Sequence, residues 1–479
     1  MSLLELRDLA VRHGDTALVD VADISVKSGQ ALTIVGESGS GKSLLAHAVM
    51  GTITTGLAVE GTMSLDGVHY DLADRANRKH HWGRELALLP QEPALALDPT
   101  MRVRDQVAEG APGFRSRRKA ALRRAEDTLG RLNLGHAARA WPHTLSGGMA
   151  QRVAYAAATI GGARVLIVDE PTKGLDRDSL DQLADLLTEH VATGGLLITI
   201  THDLHLARKL GGELLVMRDA IIVERGPADR VLTTPEHDYT RRLVAAEPSR
   251  WQYEWLASPL ADATADPAAE PLVAAEKLAK SYGDTELFRD ISLEIRPGER
   301  WALAGPSGVG KTTLGNLLLR LGAPDEGTVR HHNAVAGGRL QKLYQDPALS
   351  FPARVRLTDA MRDIVRRHGV PPGRVESLMA TLGLPESLLH RLPGQVSGGE
   401  LQRLAIVRAM LLEPALVFAD EATSRLDLLT QERTMDCLMS ELTRTGCALL
   451  LVTHDRELAT AVADHHLRLD QAVHPVAVP

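Results

Sequence analysis

Cysteine is almost missing from this chain: 2 among 479 residues, Cys437 and Cys447, both in the second half. So few thiols exclude a disulfide framework and a cysteine-based metal centre, and they fit a reducing compartment. Missing too is any apolar run near the roughly 18–20 residues that span a bilayer. The N-terminal stretch, with Glu5, Arg7 and Asp8, has no signal-peptide core. These absences point to the cytoplasm, with any membrane role supplied by a partner. An excess of positive charge is also lacking. The formal net charge is −7 and the pI near 6.3, which argues against nucleic-acid binding through bulk charge. What is present is an apolar content of 44% and a mean hydropathy of −0.09, the balance of a soluble globular protein. The length suffices for two or more domains.

Two phosphate-binding loops organise the chain. Gly36-Glu37-Ser38-Gly39-Ser40-Gly41-Lys42-Ser43 spells G-x-x-x-x-G-K-[ST], and Gly305-Pro306-Ser307-Gly308-Val309-Gly310-Lys311-Thr312 spells it again 269 residues later. Glycines let backbone N–H groups turn inward around phosphate oxygens. The lysine supplies a mobile positive charge for the β- and γ-phosphates, and the Ser/Thr hydroxyl reaches Mg²⁺.

The repeat extends well beyond the loops. His13-Gly14-Asp15-Thr16 matches Tyr282-Gly283-Asp284-Thr285 at the same offset of 269. Gln91 pairs with Gln345 at 254, Ser146 with Ser397 and Glu170 with Glu421 at 251, and His202 with His454 at 252. The second copy has therefore lost about fifteen residues between its phosphate loop and its glutamine. The division expected is a first domain over 1–247, a linker over 248–271 and a shorter second domain over 272–479. Ala, Asp and Pro scattered without helical period mark the linker. A tail, about Val216 to Glu247, has no counterpart in the second copy.

Punctuation predicts the elements. Ala31–Val35 and Trp301–Ala304 read as strands entering the loops, followed by helices over Ser43–Met50 and Thr312–Leu321. Val165–Val168, Leu196–Ile200, Leu416–Phe418 and Ala448–Val452 are near-continuous apolar runs, suited to parallel strands covered on both faces. Strands alternating with helices give an α/β doubly wound fold in each half. Arg117–Leu132 reads as a helix, and the basic stretch Arg115–Arg124 as its solvated face.

An acidic pair ends one strand in each copy: Asp169-Glu170 and Asp420-Glu421. Strand ends deliver carboxylates to the edge where open α/β sheets bind ligands. Asp169 and Asp420 would hold the Mg²⁺ shell, while Glu170 and Glu421 would polarise the attacking water. His202 and His454 end the next strand, where a neutral imidazole can donate to the γ-phosphate. Leu145-Ser146-Gly147-Gly148 and Val396-Ser397-Gly398-Gly399 open helices whose N-termini present free N–H groups, an anion site.

In this order and in duplicate, these motifs resemble those of a tandem ATP-binding cassette (ABC) protein over about residues 3–240 and 272–470. The resemblance implies two P-loop nucleotide-binding domains, each a mainly parallel sheet with a helical subdomain, closing as a head-to-tail pseudo-dimer around ATP and Mg²⁺. One site would join Gly36, Ser38, Gly39, Gly41, Lys42, Ser43, Leu44, Gln91, Asp169, Glu170 and His202 to Ser397, Gly398 and Gly399. The other would join Gly305, Ser307, Gly308, Gly310, Lys311, Thr312, Thr313, Gln345, Asp420, Glu421 and His454 to Ser146, Gly147 and Gly148. Ser43, Gln91 and Asp169 would serve the metal in one site, and Thr312, Gln345 and Asp420 in the other. Glutamates, histidines and glutamines would carry catalysis. Asp176 and Asp427, in Gly174-Leu175-Asp176 and Arg425-Leu426-Asp427, match the loop with which the family crosses its interface. The family stacks an aromatic on adenine; Tyr282 fits, whereas His13 offers a smaller, more polar face.

Finer motifs resemble the ATPases of oligopeptide, dipeptide and nickel importers: Gln91-Glu92-Pro93 with Leu97-Asp98-Pro99, Trp141-Pro142-His143, Pro235–Thr240, and Gln345-Asp346-Pro347. This resemblance implies a peripheral protein on the cytoplasmic face of the membrane, driving uptake of peptides, nickel or metal chelates. Its partners would be two integral membrane permease subunits and an extracytoplasmic solute-binding protein, with no nucleic acid. An exporter ATPase, or a soluble tandem cassette acting on ribosomes or nucleic acid, is the alternative. The short acid-leaning linker and the scarcity of cysteine speak against the soluble kind.

Overall fold

The computed structural model describes residues 3–172, 175–253, 255, 270–283, 285–424 and 426–469, without the side chains of Ala22, Ala94 and Leu95. Two compact units divide the chain, Met1–Ala245 and Ala246–Pro479.

The first unit contains β1 (Leu3–His13), β2 (Thr16–Lys27), β3 (Ala31–Val35), β4 (Ala58–Leu65), β5 (Val68–Asp71), β6 (Leu86–Leu89), β7 (Val165–Asp169), β8 (Leu196–Ile200), β9 (Glu213–Arg218) and β10 (Ile221–Pro227). They form a six-stranded sheet ordered β10-β9-β3-β8-β7-β6 and a four-stranded sheet ordered β2-β1-β4-β5. Every residue of β3, β7 and β8 is buried, as continuous apolar runs require in a sheet covered on both faces. The strands from β9 to β6 pair in parallel, and β10 adds an antiparallel edge. The smaller sheet is antiparallel throughout. The helix Lys42–Met50 fills the space between the two sheets, its Leu45 and Val49 sharing one core with Ile24, Ile34 and Ile198.

A helical region with its own core, built on Val103, Val107, Leu129 and Val153, interrupts the chain between β6 and β7. Its helix Arg118–Arg131 buries Ala121, Ala125, Thr128 and Leu129. That spacing marks one helical face, which leaves Arg118, Arg123 and Arg124 exposed, as expected.

The second unit repeats the plan with β11 (Val273–Tyr282), β12 (Thr285–Ile295), β13 (Arg300–Ala304), β14 (Glu326–His331), β15 (Leu340–Leu343), β16 (Leu416–Asp420), β17 (Ala448–Val452) and β18 (His465–Arg468). Its sheets are ordered β15-β16-β17-β13-β18, all parallel, and β12-β11-β14, antiparallel. The five parallel strands follow the same spatial order as β6-β7-β8-β3-β9.

Three expectations change here. The strand β9 begins the segment read as a tail, yet β18 is its counterpart, since each pairs in parallel with the strand that enters its phosphate loop. The helix expected over Thr312–Leu321 ends at Leu318. The segment from Pro248 is partly buried where it is described, through Pro248, Trp251 and Trp255. Trp251 and Trp255 are 7% and 5% exposed and share a core with Met435, Leu438 and Met439 of the second unit. Trp255 Nε1 donates to Asp436 at 2.9 Å, Tyr253 Oη to Glu432 at 2.7 Å, and Arg300 to the Trp255 carbonyl at 3.2 Å. Large aromatic area and satisfied N–H and O–H groups outweigh the segment's linker-like composition. Glu254 and residues 256–269 of the expected linker lie outside the described residues, as do Lys173, Gly174, Asp284 and Arg425.

Candidate functional site

Three adjacent strands deliver the key groups in each unit. In the first, β3 runs into the phosphate loop, β8 into His202, and β7 into Asp169-Glu170. The loop's glycines are required by space as well as by φ. A Cβ on Gly36 (φ 155°) would lie 2.0 Å from the Met217 carbonyl oxygen, and one on Gly41 (φ 98°) 2.2 Å from that of Leu18. Lys42, nearly buried, donates to the carbonyls of Gly36 (2.8 Å) and Glu37 (2.6 Å) and to Ser40 Oγ at 3.3 Å. Lys311 makes the equivalent bonds to Gly305 and Pro306, both at 2.8 Å. Ser38 and Gly39 lie in the first loop, Ser307 and Gly308 in the second; Leu44 and Thr313 sit in the first turn of each following helix.

Ser43 Oγ donates to Asp169 Oδ1 at 3.0 Å, and Thr312 Oγ1 to Asp420 Oδ1 at 2.8 Å. Two neighbouring oxygens on a Mg²⁺ octahedron with ~2.1 Å bonds lie about 3 Å apart, so both pairs suit that ion. Burial pushes the Asp169 carboxyl up, the Ser43 hydrogen bond opposing it.

Glu170 and Glu421 share an uncommon backbone. Their φ values, 45° and 51°, lie in the left-handed region, where a glutamate is held only if its surroundings enforce it. The enforcement is visible: Glu170 N–H donates to Ile200 O at 2.8 Å and Glu421 N–H to Val452 O at 3.0 Å. Each glutamate is thus turned toward the histidine on the neighbouring strand. His202 Nδ1 lies 2.6 Å from Glu170 Oε2, and His454 Nε2 lies 2.8 Å from Glu421 Oε1. Burial works against both charges of the first pair. The hydrogen bond and mutual attraction win, holding Glu170 below and His202 above their ordinary values.

Both glutamines are exposed, Gln91 in the bend after β6, and Gln345 Nε2 donates to Glu421 Oε2 at 2.6 Å. His13 and Tyr282 end β1 and β11. Tyr282 is 62% exposed, with Lys280 Nζ 5.8 Å from its ring centre.

The Ser-Gly-Gly segments do open helices, Gly147–Thr159 and Gly398–Met410. Ser146 Oγ accepts from Met149 N–H at 3.3 Å. Ser397 is held more fully, since Glu400 accepts from both its hydroxyl (2.6 Å) and its N–H (3.0 Å). A Cβ on Gly148 would meet Ser179 Oγ at 2.4 Å. Asp176 and Asp427 cap the helices Arg177–Ala192 and Leu428–Thr445.

Two groups escaped the sequence reading. Tyr239, in the tail, accepts a hydrogen bond from Glu37 N–H of the phosphate loop at 2.9 Å. At the matching position the second unit has Pro306, which carries no N–H and needs no acceptor. Comparing the two loops letter by letter would have exposed this difference. Lys342 Nζ, 8% exposed with its side chain, lies 3.1 Å from Asp420 Oδ2; the first copy has Leu88 there, so an aligned pair of copies again carries the signal.

Two P-loop α/β units, each with its phosphate-loop lysine, hydroxyl–aspartate pair, glutamate and histidine, define a tandem ABC ATPase. The family model "ABC transporter" matches residues 19–173 and 288–424, and the chain belongs to that family. It hydrolyses ATP in a reaction coupled to transport. The chain is 32% identical to "Uncharacterized ABC transporter ATP-binding protein YejF" of Escherichia coli K12, covering 98% of this chain and 94% of that protein. It is 31% identical to "Peptidoglycan transport ATP-binding protein YejF" of Agrobacterium fabrum, over 96% and 90%. To "Glutathione import ATP-binding protein GsiA" of E. coli K12 it is 30% identical, over 93% and 81%. Among solved structures, "RNase-L Inhibitor" has a similar fold, with a TM-score of 0.68 at 19% identity, covering 96% of this chain and 87% of that one.

Proposed function

We propose that this protein powers an importer of peptide-like solutes from the cytoplasmic face of the membrane, against two integral permease subunits fed by an extracytoplasmic solute-binding protein. The observation that carries the reading is the duplication of a whole site: loop lysine, hydroxyl–aspartate pair, strained glutamate and partnering histidine recur in both units. Relatives named for glutathione import and peptidoglycan transport, each matched over more than 90% of this chain, favour peptide-like cargo over nickel.

In this reading Lys42 and Lys311 hold the nucleotide phosphates. Ser43 with Asp169, and Thr312 with Asp420, hold Mg²⁺ directly or through its waters, and the ion supplies charge neutralisation at the phosphates. Glu170 and Glu421 orient the attacking water, and His202 and His454 fix the glutamates while sensing the γ-phosphate. No helix among the described residues is long and apolar enough to cross a membrane.

The test is purification from native membranes in mild detergent. Recovery of a permease pair supports the importer; ribosomal proteins with no permease would replace it by a soluble factor.

A further inference from the structure

Among the differences between the two sites is the charge that the strand beside the acidic strand brings to the metal-site carboxylate. In the second unit Lys342, on β15, reaches across to Asp420 at the end of the neighbouring strand β16. Its ammonium lies 3.1 Å from Asp420 Oδ2 while Thr312 donates to Oδ1 of the same carboxylate. Asn316 Oδ1 accepts from Lys342 at 2.9 Å. The Phe418 and Tyr344 rings flank the ammonium, with centres 5.0 and 5.1 Å away. Both members of the ion pair are buried, with side-chain exposures of 8% and 9%. A buried ammonium with a carboxylate, an amide oxygen and two ring faces around it is held in place. The first unit has Leu88 at the matching position of that strand, and the positive groups acting on Asp169 there are His47, which stands where Asn316 is, and Lys42.

We propose that Lys342 is a positioning residue that makes the second site a weak metal site: it neutralises Asp420 from within the protein and leaves less negative charge for a divalent cation. The inference rests on the Mg²⁺–ATP reading given above. A dication and an ammonium about 5 Å apart repel enough, even at the dielectric of water, to weaken metal binding about tenfold. The second site should therefore hold nucleotide with less dependence on Mg²⁺, and the two sites should load in a fixed order as the metal rises.

The experiment uses the full chain with one lysine of each phosphate loop removed in turn, and follows Mn²⁺ by electron paramagnetic resonance with a non-hydrolysable ATP analogue. The Lys311→Ala protein reports the first site and the Lys42→Ala protein the second. The first should bind Mn²⁺ about tenfold more tightly. Adding Lys342→Leu to the Lys42→Ala protein should close that gap, and Lys342→Arg should leave it open. Should the leucine variant fail to fold, Leu88→Lys in the Lys311→Ala protein asks the same question, with weakened Mn²⁺ binding expected. Equal Mn²⁺ affinity at the two sites, or affinity unmoved by Lys342→Leu or Leu88→Lys, overturns the proposal. If neither single-site protein binds Mn²⁺ with the nucleotide, the metal–nucleotide reading itself fails, a result separable from the first by the absence of any signal.

Discussion

One carboxylate oxygen, Glu170 Oε2, accepts twice from His202: it lies 2.6 Å from Nδ1 and 3.3 Å from the backbone nitrogen. The glutamate is thereby fixed at the end of β7 while its own backbone sits at φ 45°. Because burial alone would discharge both partners, the pair persists only while each supports the other.

A pH window follows from that pair. His202 is raised above its ordinary 6.5 and Glu170 is lowered below its ordinary 4.5. The histidine's contribution to stability is complete below 6.5 and disappears as pH rises through its raised folded value. The glutamate's contribution is complete above 4.5 and disappears as pH falls through its lowered folded value. Histidine NMR should therefore show His202 titrating above 6.5, and Glu170→Gln should bring that midpoint down. A midpoint unchanged by the substitution would remove the pair from the account.

Glu170→Gln and Glu421→Gln should each slow hydrolysis at their own site by at least about 100-fold while leaving ATP binding near its original strength. Single-turnover hydrolysis beside equilibrium binding separates the two quantities. Undiminished turnover at the second site in the Glu421→Gln protein would assign that site a structural role.

Tyr239→Phe removes the acceptor from Glu37 N–H and should cost about 1 kcal/mol in stability of the first unit, as a stranded donor does. Glu37→Pro removes the donor instead, so in that background the tyrosine change should cost little. A double-mutant cycle on thermal melting reads the coupling, and additive effects would argue that the bond contributes nothing.

The resemblance implies that each ATP needs residues of both units. Fragments 1–245 and 246–479 should then hydrolyse ATP slowly alone and recover on mixing. Full turnover by either fragment at low concentration would end that expectation.

Leu349 is 69% exposed on the short turn after Gln345, where an apolar side chain gains nothing without a partner. Leu349→Asp should spare basal ATP hydrolysis and reduce solute uptake in reconstituted vesicles; unimpaired uptake would free this turn from any coupling role.

The parts of the fold that were legible in the sequence are those written in local chemistry. Runs such as Leu196–Ile200 admit only a covered strand, and a glycine loop between a strand and a lysine admits few backbones. The two glutamates and histidines were legible as residues, but their bond was not, because it joins β7 to β8 across 32 positions. Lys342 was hidden for a different reason: a lysine beside Leu343 in an edge strand reads as surface, and only the pairing of β15 with β16 buries it. The indoles of Trp251 and Trp255 were read by the composition around them, which was the wrong signal, since their partners lie far along the chain.

Those indoles also set a schedule for folding. Tyr253 and Trp255 bond to Glu432 and Asp436, 179 and 181 positions further on. During synthesis this clasp emerges before the rest of the second unit and waits for the helix Leu428–Thr445, which comes almost last. Contacts of such separation close slowly, after the loop entropy has been met. Until ribosomes release nearly the whole chain, the second unit is left without part of its core, whereas every contact of the first unit is already available by residue 245.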